Sequence, residues 1–405
     1  MATIAVLGTL DSKGEEHAYV AELIRARGHE TLLIDVGTGA PPVVKPDFTR
    51  EEVAAAAGVD LSGPLARHDR GECVVAMSKA APVLLEKLAR EGRIQGVVSL
   101  GGGGGTALAT AAMRALPLGF PKLMVSTLAS GNTAHYLGTK DIAMMPAIVD
   151  VAGLNRVSRM VFARAAGAIC GMVEARIGEG SSKPLVVASM FGNTTDGVNE
   201  AKRIIEEAGY EVLVFHATGT GGKAMESLIA SGMVSGVLDI TTTEWADELI
   251  GATLSAGPER LDATAIARVP SIVVPGCLDM ANFGEPATVP ERYAGRNFYI
   301  HNPQVTLMRT SPAECAELGR ILAEKVNRYE APTTILLPKK GVSVISAEGG
   351  AFYDPAADEA LFSAIREKSR KPVLELEETV NSPVFARACA EKLLELMGAA
   401  RQGGF

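Results

Sequence analysis

The fold class is decided by the segment IAVLGTLDSKGEEHAYVAELIRARGHETLLID, residues 4–35. It opens with a short apolar run, which is followed by a glycine-rich turn up to Gly14 and by helical periodicity up to Arg27. Gly28 ends that helix, and a second apolar run ends at Asp35. An unbroken apolar strand, a turn and an amphipathic helix in this order are typical of a parallel sheet with helices on both faces.

The same alternation continues along the chain and is repeated in its second half. Further strands are predicted in the first half at 96–100, 122–126 and 142–145, and in the second half at 185–192, 209–215, 236–240 and 270–274. The C-terminal part adds strands at 334–337 and 372–376 and a helix over 383–397. Because matching elements follow the same order in both halves, we predict an α/β protein of two tandem doubly wound Rossmann-like domains with mainly parallel sheets.

The repeat also predicts where the domains begin and end. We place a Rossmann-like nucleotide-binding domain in residues 1–180 and a second Rossmann-like domain, with a possible substrate site, in residues 185–405. The boundary falls in a turn-forming stretch at 178–184. Residues 40–69 have little strand character and form an extra segment, which we interpret as a flap or a dimer contact.

The composition of the 405 residues argues against several classes of partner. The formal net charge is −8, with acidic and basic residues interspersed, so a basic face for nucleic acid is not expected. The sequence has no apolar run of about 18 residues and no signal-peptide pattern at its start, so we expect no membrane partner. The five cysteines are scattered and form no C-x-x-C pair. We therefore expect a cytoplasmic protein whose partner is a small-molecule ligand.

The clearest candidate binding turn lies between a predicted strand and a helix predicted from Ala107 to Arg114. Its residues are Gly101, Gly102, Gly103, Gly104, Gly105 and Thr106. Residues without side chains let the backbone approach a ligand closely, and their N–H groups, with those of the next helix, can bind an anion. We predict that phosphate binds here and that Thr106 caps the helix or contacts a phosphate oxygen. The alternative is a flexible surface loop.

A second candidate turn follows the first strand, and its predicted binding residues are Thr9, Leu10, Asp11, Ser12 and Lys13. Ser12 and Glu15 fit an S-x-x-E capping box, which predicts a helix that starts near Glu15. Lys13 could neutralise phosphate, and Asp11 could hold magnesium through water or accept a hydrogen bond from a hydroxyl. Ligands of open parallel sheets gather where the strand order reverses, so we expect the two turns to flank one site. Otherwise this turn is only a well-capped helix start with solvated charges.

Two further features suit a nucleotide. Asp35, at the end of the second strand, could accept a hydrogen bond from a ribose hydroxyl. A third turn carries hydroxyl and amide groups that suit a nucleotide or sugar, or else satisfy the backbone of the loop. Its predicted binding residues are Ser126, Thr127, Ser130, Gly131 and Asn132. The G-x-G-x-x-G fingerprint does not follow the first strand, which disfavours a dehydrogenase.

Polar turns in the second half define a possible second site. Glu244, Asp279 and His301 each follow a predicted strand end, and together they could perform acid–base chemistry or hold a metal. Arg309 could bind an anionic group nearby. Loops at strand ends are polar in many proteins, so ordinary structural turns are the alternative.

Several motifs of this sequence resemble those of the Tm-one-like family, which includes the N-terminal domain of the tomato mosaic virus resistance protein and many bacterial homologues. The motifs are Gly8–Gly14, Asp35-Val-Gly37, Gly101–Thr106, Ser130-Gly131-Asn132 and Gly276–Met280. The resemblance covers essentially the whole chain. It implies two Rossmann-like subdomains, ATP and Mg²⁺ in the first, and a homodimer. The ribose would then lie near Asp35 or Gly37.

The sequence leaves three functions open. The first is an ATP-binding protein with phosphates on turns 101–106 and 9–14, which would be an enzyme if it also acts on a small metabolite. The second is a lyase or isomerase of a small oxo-acid or sugar that uses Glu244, Asp279 and His301 as acid and base. The third is a nucleotide-dependent protein-interaction module.

Overall fold

The computed structural model describes residues 1–67, 69–176, 178 and 183–403. The chain divides into two compact units, Met1–Gly178 and Glu179–Phe405. Most of the turn-forming stretch between them, residues 179–182, lies outside the described residues. Each unit is an α/β domain around a parallel sheet, which confirms the predicted fold class.

The first unit is built on a five-stranded parallel sheet. Its strands are β1 (Thr3–Gly8), β2 (Glu30–Asp35), β3 (Gly96–Gly101), β4 (Lys122–Ser126) and β5 (Ala143–Pro146). The strand order is β2-β1-β3-β4-β5, and Val6 of β1 pairs with Leu33 on one side and Val98 on the other. The order therefore reverses between β1 and β3. In sheets of this order, ligands bind outside the carboxyl ends of the strands at that switch point.

Helices cover both faces of the first sheet. They are α1 (Leu10–Arg25), α2 (Arg50–Ala56), α3 (Ser62–Ala66), α4 (Arg70–Arg90), α5 (Gly103–Arg114), α6 (Ala134–Leu137) and α7 (Arg156–Glu174). The side chains of Ala5 and Leu7 join the core that α4 and α5 cover, whereas Ile4 and Val6 join the core that α1 and α7 cover. A strand buried on both faces needs an unbroken apolar run, which residues 4–7 supply.

The start of α1 differs from the sequence prediction. A first helical turn begins at Leu10, Lys13 departs from helical geometry with φ −133° and ψ 22°, and beyond that kink the helix continues close to the predicted start at Glu15. The Ser12 hydroxyl donates to the carbonyl and hydroxyl oxygens of Thr9 instead of accepting from a helix amide. The predicted capping box is therefore wrong.

The extra segment at residues 40–69 supplies α2 and α3 and packs onto the first unit. Its side chains Val53, Ala54 and Leu61 are buried in the core that α4 covers. A parallel bridge between Ile34 and Phe48 joins the segment to the edge strand β2. This packing argues against a flap, and a role as a dimer contact stays a prediction.

The second unit repeats this topology with additional strands. Its strands are β6 (Leu185–Met190), β7 (Glu211–His216), β8 (Val234–Thr241), β9 (Ser271–Gly276), β10 (Met280–Phe283), β11 (Phe298–Asn302), β12 (Val305–Arg309), β13 (Thr333–Pro338) and β14 (Val373–Leu376). A six-stranded parallel sheet has the order β14-β13-β9-β8-β6-β7, with the same reversal, here between β6 and β8. The strands β10, β12 and β11 form an antiparallel sheet that the sequence pattern did not predict.

Helices also cover both faces of the second parallel sheet. They are α8 (Thr195–Glu207), α9 (Thr220–Ala230), α10 (Glu244–Ile250), α11 (Ala263–Ala267), α12 (Pro312–Val326), α13 (Pro355–Lys368) and α14 (Pro383–Gly403). Buried residues of α8 and α14 share one core, and those of α12 and α13 share another. Among the described residues, no helix combines the length and apolarity that crossing a membrane requires.

Candidate functional site

A cavity of about 420 Å³ lies at the carboxyl edge of the first sheet, at the switch point between β1 and β3. The structure brings two of the predicted turns together here. The predicted residues on its wall are Thr9, Asp11, Ser12, Lys13, Gly101, Gly102, Gly103, Gly104 and Gly105. The wall is completed by residues that the sequence did not single out, namely Thr38, Gly39, Leu65, Val74, Leu108 and Asp150.

The glycine turn is a strand end followed directly by a helix start. β3 ends at Gly101, and α5 begins at Gly103, earlier than predicted. Amides in the first turn of a helix have no intrahelical partner, so those of residues 103–105 can bind an anion. None of these five described glycines has a positive φ, and a Cβ at Gly103 would make only ordinary contact, 3.7 Å from Cδ1 of Leu128. Glycine at residue 103 therefore keeps the cavity surface bare, whereas at Gly101 it permits close packing, because a Cβ there would lie 3.0 Å from Cα of Gly105.

The turn after β1 brings a cation and a carboxylate to the same cavity. Lys13 is the only basic residue among the described residues of the wall. Its ammonium group forms no hydrogen bond or ion pair with any described residue. Oδ2 of Asp11 accepts from the Gly39 amide at 2.8 Å, whereas Oδ1 is buried without a partner in the described structure. The Leu10 side chain lies in the core, so Leu10 contributes only backbone to the turn.

Asp35 and Gly37 brace this turn and do not line the cavity. Oδ1 of Asp35 accepts from the amides of Leu10 at 3.1 Å and Gly37 at 2.8 Å. Burial raises the pKa of Asp35, although both amides act in the opposite direction. A Cβ at Gly37 would lie 2.9 Å from Oδ1 of Asp35 and 3.0 Å from Cγ of Asp11. Because Asp35 is fully buried and holds the turn, its position gives no support to the predicted ribose contact.

His17 connects the two turns and was missed by the sequence analysis. Its Nδ1 lies 2.6 Å from the Lys13 carbonyl oxygen, and its Nε2 lies 3.3 Å from the Leu100 amide nitrogen. A carbonyl only accepts and an amide N–H only donates, so these two contacts match a neutral ring with its proton on Nδ1. Burial lowers the pKa of His17, which agrees with the neutral form. The available signal was its place on the apolar face of α1, three residues before Val20.

Thr106 and Ser126 form a buried hydroxyl pair behind the glycine turn. Their oxygen atoms are 2.7 Å apart, and Oγ of Ser126 also accepts from the Leu128 amide at 3.0 Å. The residue that precedes α5 is Gly102, so Thr106 is not its cap. With its hydroxyl turned inward and its side chain fully buried, Thr106 does not offer that group to a ligand. The predicted cap is therefore wrong, and the structure gives no support to the predicted phosphate contact of the Thr106 hydroxyl.

A second cavity, of about 540 Å³, lies beside the ends of β4 and β5. Its wall consists of Ser126, Thr127, Ser130, Pro146, Ala147, Ile148, Val149 and Asp150, the last of which also lines the first cavity. Three of the predicted residues of the third turn thus reach a cavity. Gly131 and Asn132 do not line it: both are exposed, and Oδ1 of Asn132 accepts from the Ala134 amide at 3.2 Å.

In the second unit, Glu244 occupies an internal anion site. One carboxylate oxygen accepts from the amides of Gly219 at 2.7 Å and Gly222 at 3.0 Å, at the start of α9. The other accepts from Nε of Arg260 at 2.7 Å, and the side chain is fully buried. The glycine turn of this unit therefore binds a carboxylate of the same chain, whereas the amides of the first unit stay open to a ligand.

Asp279 and Arg309 are also committed to internal contacts. Asp279 is fully buried, and its Oδ2 accepts from the Ser343 hydroxyl at 2.7 Å. Burial raises the pKa of Asp279 to about 6, although the charge of Arg309 acts against the rise. The Arg309 guanidinium donates to Asp358 at 2.5 Å and to backbone carbonyls, so the predicted free anion site at Arg309 is not formed.

His301 differs from the two buried acids in being exposed. It is exposed on β11, where its ring is 6.5 Å from that of Tyr299. Across the described residues, no hydrogen bond joins any two of Glu244, Asp279 and His301, and no group of three His, Cys, Asp or Glu residues there could hold a metal ion. The predicted common mouth is therefore wrong, because two of its members are buried and the third is exposed.

Both halves of the chain match one family. The N-terminal domain of the uncharacterised protein family UPF0261 matches residues 2–178, and its C-terminal domain matches residues 183–397. The chain belongs to the UPF0261 family. A UPF0261 protein of Clostridium tetani is 47% identical over 398 residues, which cover 97% of this chain and 98% of that protein.

The UPF0261 chain is also related to a tomato protein, as its motifs indicated. The ToMV resistance protein Tm-1(GCR237) of Solanum lycopersicum is 36% identical over 416 residues, which cover 96% of this chain and 55% of that protein. A solved UDP-N-acetylglucosamine 2-epimerase from Rickettsia bellii is 12% identical, covers 98% of this chain and 96% of its own, and has a TM-score of 0.22. Likeness at that level supports no conclusion about function.

Asp11 is the residue of the UPF0261 cavity best suited to magnesium. Its Oδ1 is a buried carboxylate oxygen without a partner in the described structure, and the residue lies on the same wall as Lys13 and the five glycines. Mg²⁺ in nucleotide sites is held by one or two carboxylates, with substrate phosphates and water completing its coordination. Asp11 fits that requirement only when a phosphate ligand supplies the remaining oxygens.

Proposed function

We propose that this UPF0261 protein binds ATP, with the phosphates on the glycine turn 101–106 and on the turn 9–14. The observation that carries this proposal is one cavity whose wall combines bare glycine backbone, open amides at the start of α5 and Lys13. Amides and the helix dipole at a helix N-terminus favour an anion, and an unpaired lysine adds a full positive charge. The cavity also lies at the switch point of the sheet, where such ligands bind.

The charge of the cavity wall supports a role for magnesium. Among the described residues of the wall, Lys13 is the one basic residue, and Asp11 and Asp150 are acidic. A polyphosphate facing two carboxylates is repelled unless a further cation is present. Asp11 would hold Mg²⁺, which supplies charge neutralisation when bound. ATP as the nucleotide follows from the family resemblance.

We extend this proposal to an enzyme that also acts on a small metabolite. The residues that support ATP binding all belong to the first unit. An acid–base site in the second unit gains no support, because Glu244 and Asp279 are fully buried while His301 is exposed. A homodimer and a cytoplasmic location are also parts of the proposal. Native mass spectrometry of protein purified without added ligand measures both the stoichiometry and any retained nucleotide.

The proposal is tested by calorimetric titration of Mg²⁺–ATP into Gly103→Val. A side chain at Gly103 would cover the bare backbone, whereas its Cβ meets protein atoms only at ordinary contact distance. We expect at least a roughly 100-fold loss of affinity, about 2.7 kcal/mol, with an unchanged circular dichroism spectrum. The control is Gly171→Ala on α7, where a Cβ would meet no atom within 4 Å. Equal affinity of Gly103→Val and the wild type would remove the proposal.

A second variant tests the phosphate end of the ligand. Lys13→Ala should weaken ATP and pyrophosphate alike by about 10- to 100-fold, because a charged hydrogen bond contributes about 1.5–3 kcal/mol. Lys87→Ala, which removes an exposed lysine of α4, serves as the matched control. Loss of ATP binding with unchanged pyrophosphate binding would place the phosphates elsewhere.

A further inference from the structure

The second cavity, beside the ends of β4 and β5, has no role in the phosphate binding proposed above. Its wall combines the hydroxyl residues Thr127 and Ser130 with the apolar residues Pro146, Ala147 and Ile148. Its size of about 540 Å³ falls within the range of small-ligand sites. Because Asp150 lines both cavities, one ligand can extend from the first cavity into the second.

Ile148 is held on this wall in a strained conformation. Its φ is 68°, and the Val149 amide donates to the Ala147 carbonyl oxygen at 2.8 Å, which closes a γ-turn around it. γ-turns with positive φ are rare and strained, and a β-branched residue tolerates positive φ poorly. Ile148 is nevertheless 74% exposed, so burial of its side chain does not offset the cost of the strained backbone. Strained residues of this kind cluster at ligand-binding sites.

Asp150 supplies the chemistry at the junction of the two cavities. The residue is exposed, and among the described residues only its backbone carbonyl accepts a hydrogen bond, from the Ala152 amide at 2.9 Å, which leaves the carboxylate available. An ionised carboxylate only accepts hydrogen bonds, so it repels a phosphate and pairs well with hydroxyl donors. In a nucleotide, the group between the phosphates and the base is a sugar with two neighbouring hydroxyls.

The structure assigns the second cavity to the nucleoside end of the ligand. Asp150 accepts hydrogen bonds from the vicinal sugar hydroxyls, and the base packs on Ile148 with its polar edge toward Thr127 and Ser130. This assignment rests on the proposed function, because it takes the phosphates to lie on the glycine turn. In this assignment Asp150, rather than the buried Asp35 predicted from the sequence, binds the sugar hydroxyls.

Calorimetric titrations with pyrophosphate, ADP and 2′,3′-dideoxy-ADP, all with Mg²⁺, test the assignment. We expect the wild type to bind ADP at least about 10-fold more tightly than either of the other two ligands. Asp150→Ala should abolish the preference for ADP over dideoxy-ADP without weakening pyrophosphate binding, because its carboxylate repels phosphate. Glu86→Gln, which neutralises an exposed acid of α4, should change none of these affinities.

Ile148→Gly adds a readout that is independent of Asp150. Glycine accepts the positive φ, so the melting temperature should rise by about 2–4 °C. ADP affinity should fall at least about 5-fold while pyrophosphate affinity stays unchanged. If pyrophosphate binds but ADP binds no more tightly, the nucleoside assignment is overturned and the phosphate site stands. If neither ligand binds the wild type, the proposed function fails and the assignment fails with it.

Discussion

The imidazole of His17 packs directly against Gly8, where a Cβ atom would lie 2.1 Å from Nε2. The ring therefore fits only because residue 8 has no side chain. The ring is fully buried there and joins the Lys13 carbonyl to the Leu100 amide. Lys13 belongs to one predicted phosphate turn, and Leu100 immediately precedes the other. The relative position of the two turns therefore depends on this pair of residues.

Gly8→Ala should displace the His17 ring and destabilise the first unit. The displaced ring loses two hydrogen bonds and leaves the buried Leu100 amide without a partner. We expect a loss of about 2–4 kcal/mol in the free energy of unfolding, measured by urea denaturation. Gly171→Ala, which meets no atom within 4 Å, should cost nothing. A cost below about 0.5 kcal/mol for Gly8→Ala would contradict this packing.

His17 should make stability depend on pH in acidic solution. Burial lowers its pKa from the ordinary value of 6.5, so the unfolded chain binds the proton more readily than the folded protein. The Lys13 carbonyl and Glu16 oppose this effect more weakly. Stability should therefore be fully present above pH 6.5 and should fall below it, until the lowered folded pKa is reached, by at most about 1.4 kcal/mol per pH unit.

The His17 contribution can be isolated by comparison with His17→Gln, whose side chain does not titrate. The difference in unfolding free energy between the wild type and this variant should be constant above pH 6.5. Below pH 6.5 the wild type should lose stability relative to the variant. The tautomer is measured separately, because ¹⁵N chemical shifts of the wild-type ring should report a proton on Nδ1 at pH 7. A proton on Nε2 would contradict the hydrogen bond from Leu100, whether or not the variant folds.

The Thr106–Ser126 hydroxyl pair should show energetic coupling. Thr106→Val or Ser126→Ala alone leaves a buried hydroxyl without its partner, which costs about 1–3 kcal/mol. The double variant removes both hydroxyls, so its loss of unfolding free energy should be smaller than the sum of the single losses by about 1 kcal/mol. Strict additivity in urea denaturation would show that the two hydroxyls do not interact.

The sequence predicted the sheets better than it predicted the details of the site. Unbroken apolar runs and helical periodicity are local signals, and they predicted the strands of both parallel sheets. The helix start at Gly103 had no such signal, because glycine disfavours helices and only the neighbouring strands impose one there. The antiparallel strands were missed for a different reason: β11 pairs with β12 as a hairpin, but β11 is largely exposed and lacks the unbroken apolar run of a buried strand.

The site residues that the sequence missed come from segments that chain folding brings together. Gly39, Leu65 and Asp150 are far apart in the sequence, yet all three line the glycine cavity. None carries a recognisable motif, and a lone aspartate after a strand is too common to single out. The prediction for Glu244 failed in the opposite direction. Its position after a strand suggested an accessible acid, but Arg260, which lies outside every predicted motif, pairs with it in the interior.

Replacement of Asp279 should stabilise the second unit increasingly as the pH rises. The Asp279 carboxyl is fully buried, one of its oxygens has no partner in the described structure, and burial raises its pKa from the ordinary 3.8 to about 6. Because the folded pKa exceeds the unfolded one, wild-type stability is greatest below pH 3.8 and declines until about pH 6. Asparagine at this position has no charge to bury.

The unfolding free energy of Asp279→Asn should therefore rise relative to the wild type by about 2 kcal/mol between pH 4 and pH 7 and then change little. Asp247, whose pKa burial raises to about 7, is present in both proteins, so its contribution cancels in the difference. Urea denaturation at each pH measures the effect, and Glu86→Gln provides the control for an exposed acid. A difference that stays flat over this range would mean that the charge on Asp279 is accommodated, with the nearby Arg309 as its counterion.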